Sequence, residues 1–254
     1  MKRNTLSRVR LLFLLIILAL PFAPQVTFAQ SNPDQNVTAV LWFQRSAEYR
    51  ALCYQAFNLA ELRIKEYLPK FDREKHPVVI FDIDETLLDN SPEEALNITE
   101  GKSYSQEAWT AWSDKASAEA VPGAVEFVRF LAQNEIEPIY LSNRMNTEGT
   151  MTLLNLQNCN FPYADRNHLY LKSETSSKEF RRNMVEKQHE VVMLVGDNLS
   201  DFSQIFEDRS VNFGYKAVDS LRSELGHRFI ILPNPIYGDW TKPLTGDRKG
   251  WLRK

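Results

Sequence analysis

Two aspartates stand on alternate positions at the end of an apolar run in VVIFDIDETLLDNSP (residues 78–92): Asp82 and Asp84, with Glu85 directly after them. Two more, Asp197 and Asp201, lie in VVMLVGDNLSDF (191–202), while Ser142 and Asn143 sit in YLSNR and Lys178 in SSKEF. Carboxylates gathered at one place repel one another; at an effective dielectric of 20, two unit charges about 4 Å apart cost roughly 4 kcal/mol. A hard divalent cation with oxygen ligands relieves that repulsion, and Mg²⁺ commonly takes one or two carboxylates together with waters and a phosphate. No nitrogen or thiolate site competes. His76, His168, His189 and His227 are scattered without metal-ligand spacing.

The elements that must gather these residues are legible as short apolar runs of strand length: 78–81, 138–141, 169–171, 191–195 and 229–232. Helix-like segments separate them, among them PGAVEFVRFLAQN, TMTLLNLQN, SSKEFRRNMVEKQH and LSDFSQIFED. Strands without polar alternation, divided by helices, imply an α/β fold with a doubly wound parallel sheet covered on both faces. In such a sheet ligands sit beyond the carboxyl ends of the strands. Asp82 and Asp84 end the first strand, Ser142 and Asn143 the second, and Asp197 follows the fourth; Lys178 opens the helix after the third. Each residue alone has an ordinary reading: a turn serine, a solvated lysine, a surface acid. The ordered set, one strand end after another, is what points to a site.

Residues 37–68 carry apolar residues at helical spacing up to Pro69, which predicts one long helix, broken once at most. Residues 89–120 interrupt the alternation and hold a helix over QEAWTAWSDKASA, which reads as an insertion or lid over the sheet. From Pro233 the chain reads as an ordered loop with a short tail.

Composition bounds the partners. With 43% hydrophobic and 25% charged residues and a net charge of −3, the chain has ample material for a core and no basic field for a nucleic acid polymer. Lys2, Arg3, Arg8 and Arg10 precede the apolar stretch LLFLLIILAL, and small residues follow at Thr27–Ala29. Residues 1–29 thus read as a secretory signal peptide, leaving 30–254 as the mature domain, periplasmic or secreted. The apolar run is about half of the roughly 20 residues a spanning helix needs, so no stable membrane anchor is expected. Removing four basic and no acidic residues would take the net charge from −3 to −7. Cys53 and Cys159 are too few for a disulfide scaffold, and a bridge or two buried thiols are equally open.

FDIDETLLDNSP, YLSNR, Lys178 in SSKEF and VGDNLSDF together resemble the four motifs of haloacid dehalogenase-like phosphotransferases. DNSP, the WTAW…VPGAVEF stretch and LPNPIYGDW are more narrowly similar to bacterial class C acid phosphatases, the lipoprotein-type 5′-nucleotidases. The resemblance implies a haloacid dehalogenase-like sheet with a small, mostly helical cap, built from the N-terminal helix and the 89–120 insertion. It implies Asp82 as nucleophile, forming an aspartyl-phosphate, and Asp84 as acid then base. Mg²⁺ would be held by the Asp82 carboxylate, the Asp84 backbone carbonyl and Asp197, with Asp201 in support. Ser142, Asn143 and Lys178 would bind phosphoryl oxygens, and Thr86 would fix the loop that aims Asp84. The residue types suit these tasks. Glu85, on alternation grounds, points elsewhere and has no role.

Trp109 and Trp112 lie at i, i+3 on the insertion helix. Trp112 reads as core, whereas the resemblance places Trp109 with Tyr237 around a nucleobase. The implied substrates are phosphomonoesters, above all 5′-nucleotides and nicotinamide mononucleotide. A broad phosphomonoesterase or phosphotransferase, and a non-catalytic binding or storage protein, are the competing readings. The family resemblance also suggests a homodimer, and departs in one respect: no cysteine for lipid attachment stands at the signal junction.

Overall fold

A computed structural model describes residues 33–253 apart from Asp247. The signal-peptide reading of residues 1–29 therefore lies outside the described residues.

The chain begins with α1 (Pro33–Arg45) and α2 (Ala47–Tyr67). Ser46 separates them: its backbone is extended, and its hydroxyl accepts from the Tyr49 amide at 3.0 Å, capping α2. The expected long helix is thus broken once, and it ends just before Pro69. After β1 (Pro77–Phe81) comes the insertion, with β2 (Leu88–Asp89), α3 (Ser91–Thr99), α4 (Gln106–Ser113) and β3 (Glu119–Ala120). Then follow α5 (Ala124–Gln133), β4 (Glu137–Met145), α6 (Gly149–Asn158), β5 (Leu169–Lys172), α7 (Glu179–Glu186), β6 (Glu190–Gly196), α8 (Tyr215–Ser220) and β7 (Phe229–Ile231).

Five strands form one parallel sheet in the order β5-β4-β1-β6-β7. Every residue of β1 is buried because both faces of the strand are covered. Val79 and Phe81 belong to a core shared with Phe57, Ala60 and Ile64 of α2 and with Phe127 and Leu131 of α5. Val78 and Ile80 point the other way, into a second core with Val185 of α7, Phe202 and Phe206. This two-sided burial is why the strand reads as a continuous apolar run. In register, Phe81 lies beside Tyr140 of β4 and Val195 of β6, so β1 and β6 reach their carboxyl ends together while β4 runs on through Ser142 and Asn143 to Met145. That alignment builds the rim on which the polar groups sit.

The insertion leaves and rejoins the sheet through an antiparallel pair, in which Leu88 faces Ala120 and Asp89 faces Glu119. Helix α1 docks onto it through Asn36 Nδ2 to Glu94 at 2.9 Å and Gln44 Nε2 to Ser91 Oγ at 3.0 Å. The N-terminal helix and the insertion thus form one mostly helical layer at the sheet's edge.

Two sequence expectations are corrected. LSDFSQIFED is not an α-helix but two 3₁₀ turns, Leu199–Asp201 and Gln204–Phe206. Ser203 is extended, and its hydroxyl accepts from the Ile205 amide, so a side-chain cap interrupts the pattern where apolar spacing suggested continuity. The lid helix is also shorter than QEAWTAWSDKASA. It stops at Ser113, whose hydroxyl reaches Glu148 at 2.9 Å and Thr110 O at 3.2 Å, and Ala116 takes a positive φ of 47°.

Candidate active site

Beyond Phe81 the chain makes one more ladder bond, Asp82 N to Val195 O at 2.9 Å, and then coils tightly. The amides of Leu87 and Leu88 both donate to Ile83 O, and that of Glu85 to Leu88 O, so a short loop is held rigid from within. Asp82 is buried at the base of this loop, and Lys178 Nζ, itself 5% exposed, donates to its Oδ1. The same ammonium donates to Asp201 Oδ1 at 2.7 Å. Asp82, Asp197 and Asp201 each offer a carboxylate oxygen within 4.8 Å of the others.

Burial pushes Asp82 well above the usual carboxylate range, with Lys178 working against it and Asp201 and Asp197 adding to it. Asp197 is pushed up to about 7, again by burial first and the Asp201 charge second. Burial disfavours the Lys178 ammonium, yet Asp201 and Asp82 outweigh it and keep the lysine charged. Three hard oxygen donors under mutual strain are the donor set of a small divalent cation, and a metal would supply the positive charge that one lysine only partly provides. Among the described residues no His or Cys joins the cluster. The donor set fits such a cation.

The surroundings are fixed by Thr86 and Asp201, both expected near the site, and by Asn234, which was not. Asn234 Nδ2 donates to Asp197 Oδ2 at 2.8 Å, and Thr86 Oγ1 reaches Asp197 at 3.3 Å and Asp82 at 3.4 Å. Asp201 Oδ2 accepts from the Asn198 amide at 2.9 Å, which closes the turn on itself. This turn folds so tightly under β6 that a Cβ on Gly196 would lie 2.4 Å from Asp201 Oδ2 and 2.6 Å from Asp201 Cβ. Glycine is required there by close approach. Helix α7 acts as a brace between strand ends. Lys178 stands at its N-cap, Arg181 donates to Ser142 O at 2.6 Å and Asn143 Oδ1 at 2.7 Å, and Arg182 donates to Ser200 O and Asp201 O.

Asp84 has a separate environment. Its Oδ1 accepts from Asn90 Nδ2 at 2.9 Å and from Arg144 Nε at 2.9 Å and Nη2 at 2.8 Å; its Oδ2 accepts from Ser142 Oγ at 3.0 Å. Ser142 is fully buried, so in this structure its hydroxyl serves Asp84. Arg144, 2% exposed, was legible only as the last letter of YLSNR; it lies two residues from Ser142, on the same side of β4. Its guanidinium also stands over the Trp109 ring, 5.4 Å from the centroid.

Glu85 is a further correction. It is fully buried, with φ of 58°, and its Oε1 accepts from the Asn90 amide at 2.8 Å. Alternation applies only within a strand, and the strand has ended by residue 82. Burial raises Glu85 well above the usual carboxylate range. Asn90 in turn links Asp84, Arg144 and, through its Oδ1, Trp112 Nε1 at 2.9 Å. Trp112 is thereby partly buried against the core, as its spacing predicts.

These groups open into a cleft of about 510 Å³ lined by Asp82, Asp84, Asn143, Lys178, Asp197 and Asp201. Trp109 from α4 and Tyr237 from the C-terminal loop line the same cleft, so the two aromatics the sequence paired do share one space. Cys53 and Cys159 are both free thiols, Cys53 being pushed up to about 11 by burial.

Residues 22–240 match the model of the HAD superfamily, subfamily IIIB (Acid phosphatase). The chain belongs to this acid phosphatase family. Among solved structures, it is similar to the class C acid phosphatase from Bacillus anthracis with tungstate bound, at 39% identity and a TM-score of 0.80. That match covers 84% of this chain and 89% of the other. A second structure of the Bacillus anthracis class C acid phosphatase matches at 37% identity and a TM-score of 0.80, over 86% and 93% of the two chains. Among curated proteins, vegetative storage protein 2 of Arabidopsis thaliana is 28% identical over 168 residues, and acid phosphatase 1 of Solanum lycopersicum 27% over 168 residues. Both plant matches cover 63% of this chain, and they span only 56% and 58% of the plant proteins. Family membership accords with the doubly wound sheet and with polar groups at successive strand ends.

Proposed function

We propose that the chain is an exported, Mg²⁺-dependent acid phosphatase that hydrolyses phosphomonoesters through an aspartyl-phosphate on Asp82. The observation that carries this reading is the buried Asp82 carboxylate lining the cleft, bonded to Lys178 and clustered with Asp197 and Asp201.

Asp82 attacks phosphorus, and its oxygen–phosphorus bond forms as the ester oxygen departs with its electron pair. Asp84 gives the departing oxygen a proton; in the second half it takes one from the water that releases phosphate and restores Asp82. The network around Asp84 suits this double role, because Arg144, Asn90 and Ser142 hold its carboxylate without filling the cleft. Ser142 takes the part of a positioning residue, in place of the phosphoryl contact that the sequence suggested. Lys178 and Asn143 face the phosphoryl oxygens, where positioning and charge neutralisation supply most of the rate. Mg²⁺, held by Asp82, the Asp84 carbonyl and Asp197 with Asp201 behind, would neutralise the phosphate dianion as it approaches a carboxylate nucleophile. The Bacillus anthracis relative has tungstate bound, a tetrahedral oxyanion like phosphate, and that accords with an oxyanion as the ligand of this chain.

Trp109 and Tyr237 favour a substrate with a flat base, so 5′-nucleotides and nicotinamide mononucleotide lead within the phosphomonoester class. Export through residues 1–29, a domain spanning 30–254 with 89–120 as its cap, and a homodimer without a membrane anchor complete the proposal. No helix among the described residues is long and apolar enough to cross a membrane. A storage role has one observation behind it, the similarity to vegetative storage protein 2. The intact set of Asp82, Asp84, Lys178 and Asp197 favours hydrolysis. The experiment is a panel of nucleotides, alkyl phosphates and aryl phosphates, assayed after EDTA treatment and after Mg²⁺ is restored. Mg²⁺-restored hydrolysis with nucleotides preferred is expected; full activity in stripped protein would remove the metal, and no hydrolysis of any ester would leave the storage role.

A further inference from the structure

A second cleft, also of about 510 Å³, shares only Asp197 and Asn198 with the first. Its remaining walls come mainly from α2, with Leu52 and Leu59, from the end of β7, with Ile231, and from Leu199 and Trp240. Its lining holds one acid, Asp197, already committed to Asn234 and Thr86, and one base, Arg209.

Arg209 is 7% exposed, and its buried Nε has no hydrogen-bond partner. Its guanidinium makes no hydrogen bond or ion pair among the described residues. Asp239, the acid whose field reaches it, is paired with Lys242 at 2.8 Å. The side chain is nevertheless held in place: Asn212, Phe213 and Gly214 carry successive positive φ values of 47°, 57° and 80°, and a Cβ on Gly214 would lie 3.0 Å from Arg209 Cδ. A buried guanidinium Nε without an acceptor, at a cleft lined largely by apolar side chains, is an arrangement that proteins avoid unless something completes it.

We infer that this cleft binds an organic monocarboxylate with an apolar body, its carboxylate on Arg209 and its chain against Leu52, Leu59, Leu199 and Ile231. The planar fork of arginine matches a carboxylate, and the cleft's size falls in the range of small-molecule sites, about 300–1,000 Å³. A phosphate dianion suits it less, because the lining includes the Asp197 carboxylate and is otherwise mostly unable to solvate a second charge. The inference does not depend on the phosphatase reading, since it uses neither Asp82 nor Asp84.

The test is calorimetric titration of octanoate into the full, metal-loaded chain, with and without orthovanadate to occupy the first cleft. One octanoate per chain is expected in both conditions. Octanol, octylammonium and acetate should bind at least about tenfold more weakly, as the loss of a charge-assisted hydrogen bond or of the apolar body requires. Arg209→Met should weaken octanoate by a similar factor, and Arg209→Lys by less. Equal binding of octanoate and octanol, octanoate binding abolished by orthovanadate, or unchanged binding in Arg209→Met would each overturn the proposal. So would a chain that binds no octanoate and whose oligomeric state changes in Arg209→Met, because a second copy would then cover the arginine. Should Arg209→Met fail to fold, the comparison of octanoate with octanol on the unaltered chain decides alone.

Discussion

The rim at the strand ends and the mouth of the cleft are built on opposite terms. At the rim, Asp82, Asp201 and Lys178 are almost wholly buried, and each is tied to groups from at least one other element. At the mouth, Trp109 is partly buried beside one guanidinium, Tyr237 is 42% exposed, and the two arrive on separate segments, the insertion and the C-terminal loop. The rim is over-determined, so a change there should alter chemistry abruptly. The mouth is loosely determined, so a change there should alter which ester is preferred and leave the chemistry in place. Rigid strand ends hold the reacting groups, and adjustable surface segments choose among substrates.

The sharpest way to break this contrast is Asp82→Asn. Removing the nucleophile without changing side-chain size should lower kcat by on the order of 10⁴-fold or more on every ester, with circular dichroism unchanged. Next in size, Asp84→Asn should cost about 10²–10⁴-fold on alkyl phosphates and much less on aryl phosphates, whose leaving groups need little protonation. Thermal unfolding should be checked first, because the substitution leaves the buried Arg144 without its carboxylate; equal losses on both esters would count against Asp84 as the acid. Asn234→Ala removes the hydrogen bond to Asp197, along with those its Oδ1 accepts from the Ile236 and Tyr237 amides, and should weaken Mg²⁺ activation by about 10–100-fold, read from the metal concentration giving half-maximal rate. Smallest and most selective, Trp109→Ala and Tyr237→Ala should lower kcat/KM for a nucleotide by roughly 5- to 150-fold, since base–aromatic stacking is worth about 1–3 kcal/mol. A small ester without a base should be nearly unaffected. Equal losses on both would make these aromatics structural and erase the distinction between rim and mouth.

The same contrast governs what could be read from the sequence. The strands were legible as uninterrupted apolar runs, most clearly β1, which is buried on both faces; Asp82 and Asp197 were legible because each directly follows such a run, and Lys178 because it opens the helix after the third. Arg144, Asn90 and Asn234 were not, because a polar residue that supports another polar residue leaves no periodic trace; Asn234 meets Asp197 from 37 positions away. Glu85 was misread by extending strand alternation past the strand's end, where a positive φ turns the side chain inward. The turn after β6 was misread as a helix because its apolar spacing was followed without weighing Ser203 as a cap. Gly196 carried a readable hint in GDN, but the reason for it, the approach of Asp201, exists only in three dimensions.

The claim at the centre of the account is that Asp82 carries the phosphoryl group. The most direct measurement is to quench the enzyme in acid during turnover of a phosphate-labelled ester and locate the label by peptide mapping. The account predicts label on the peptide containing Asp82, more of it in Asp84→Asn, where the water that clears it is poorly activated, and none in Asp82→Asn. Turnover with no protein-bound label in either the unaltered chain or Asp84→Asn, or label on a residue other than Asp82, would contradict it.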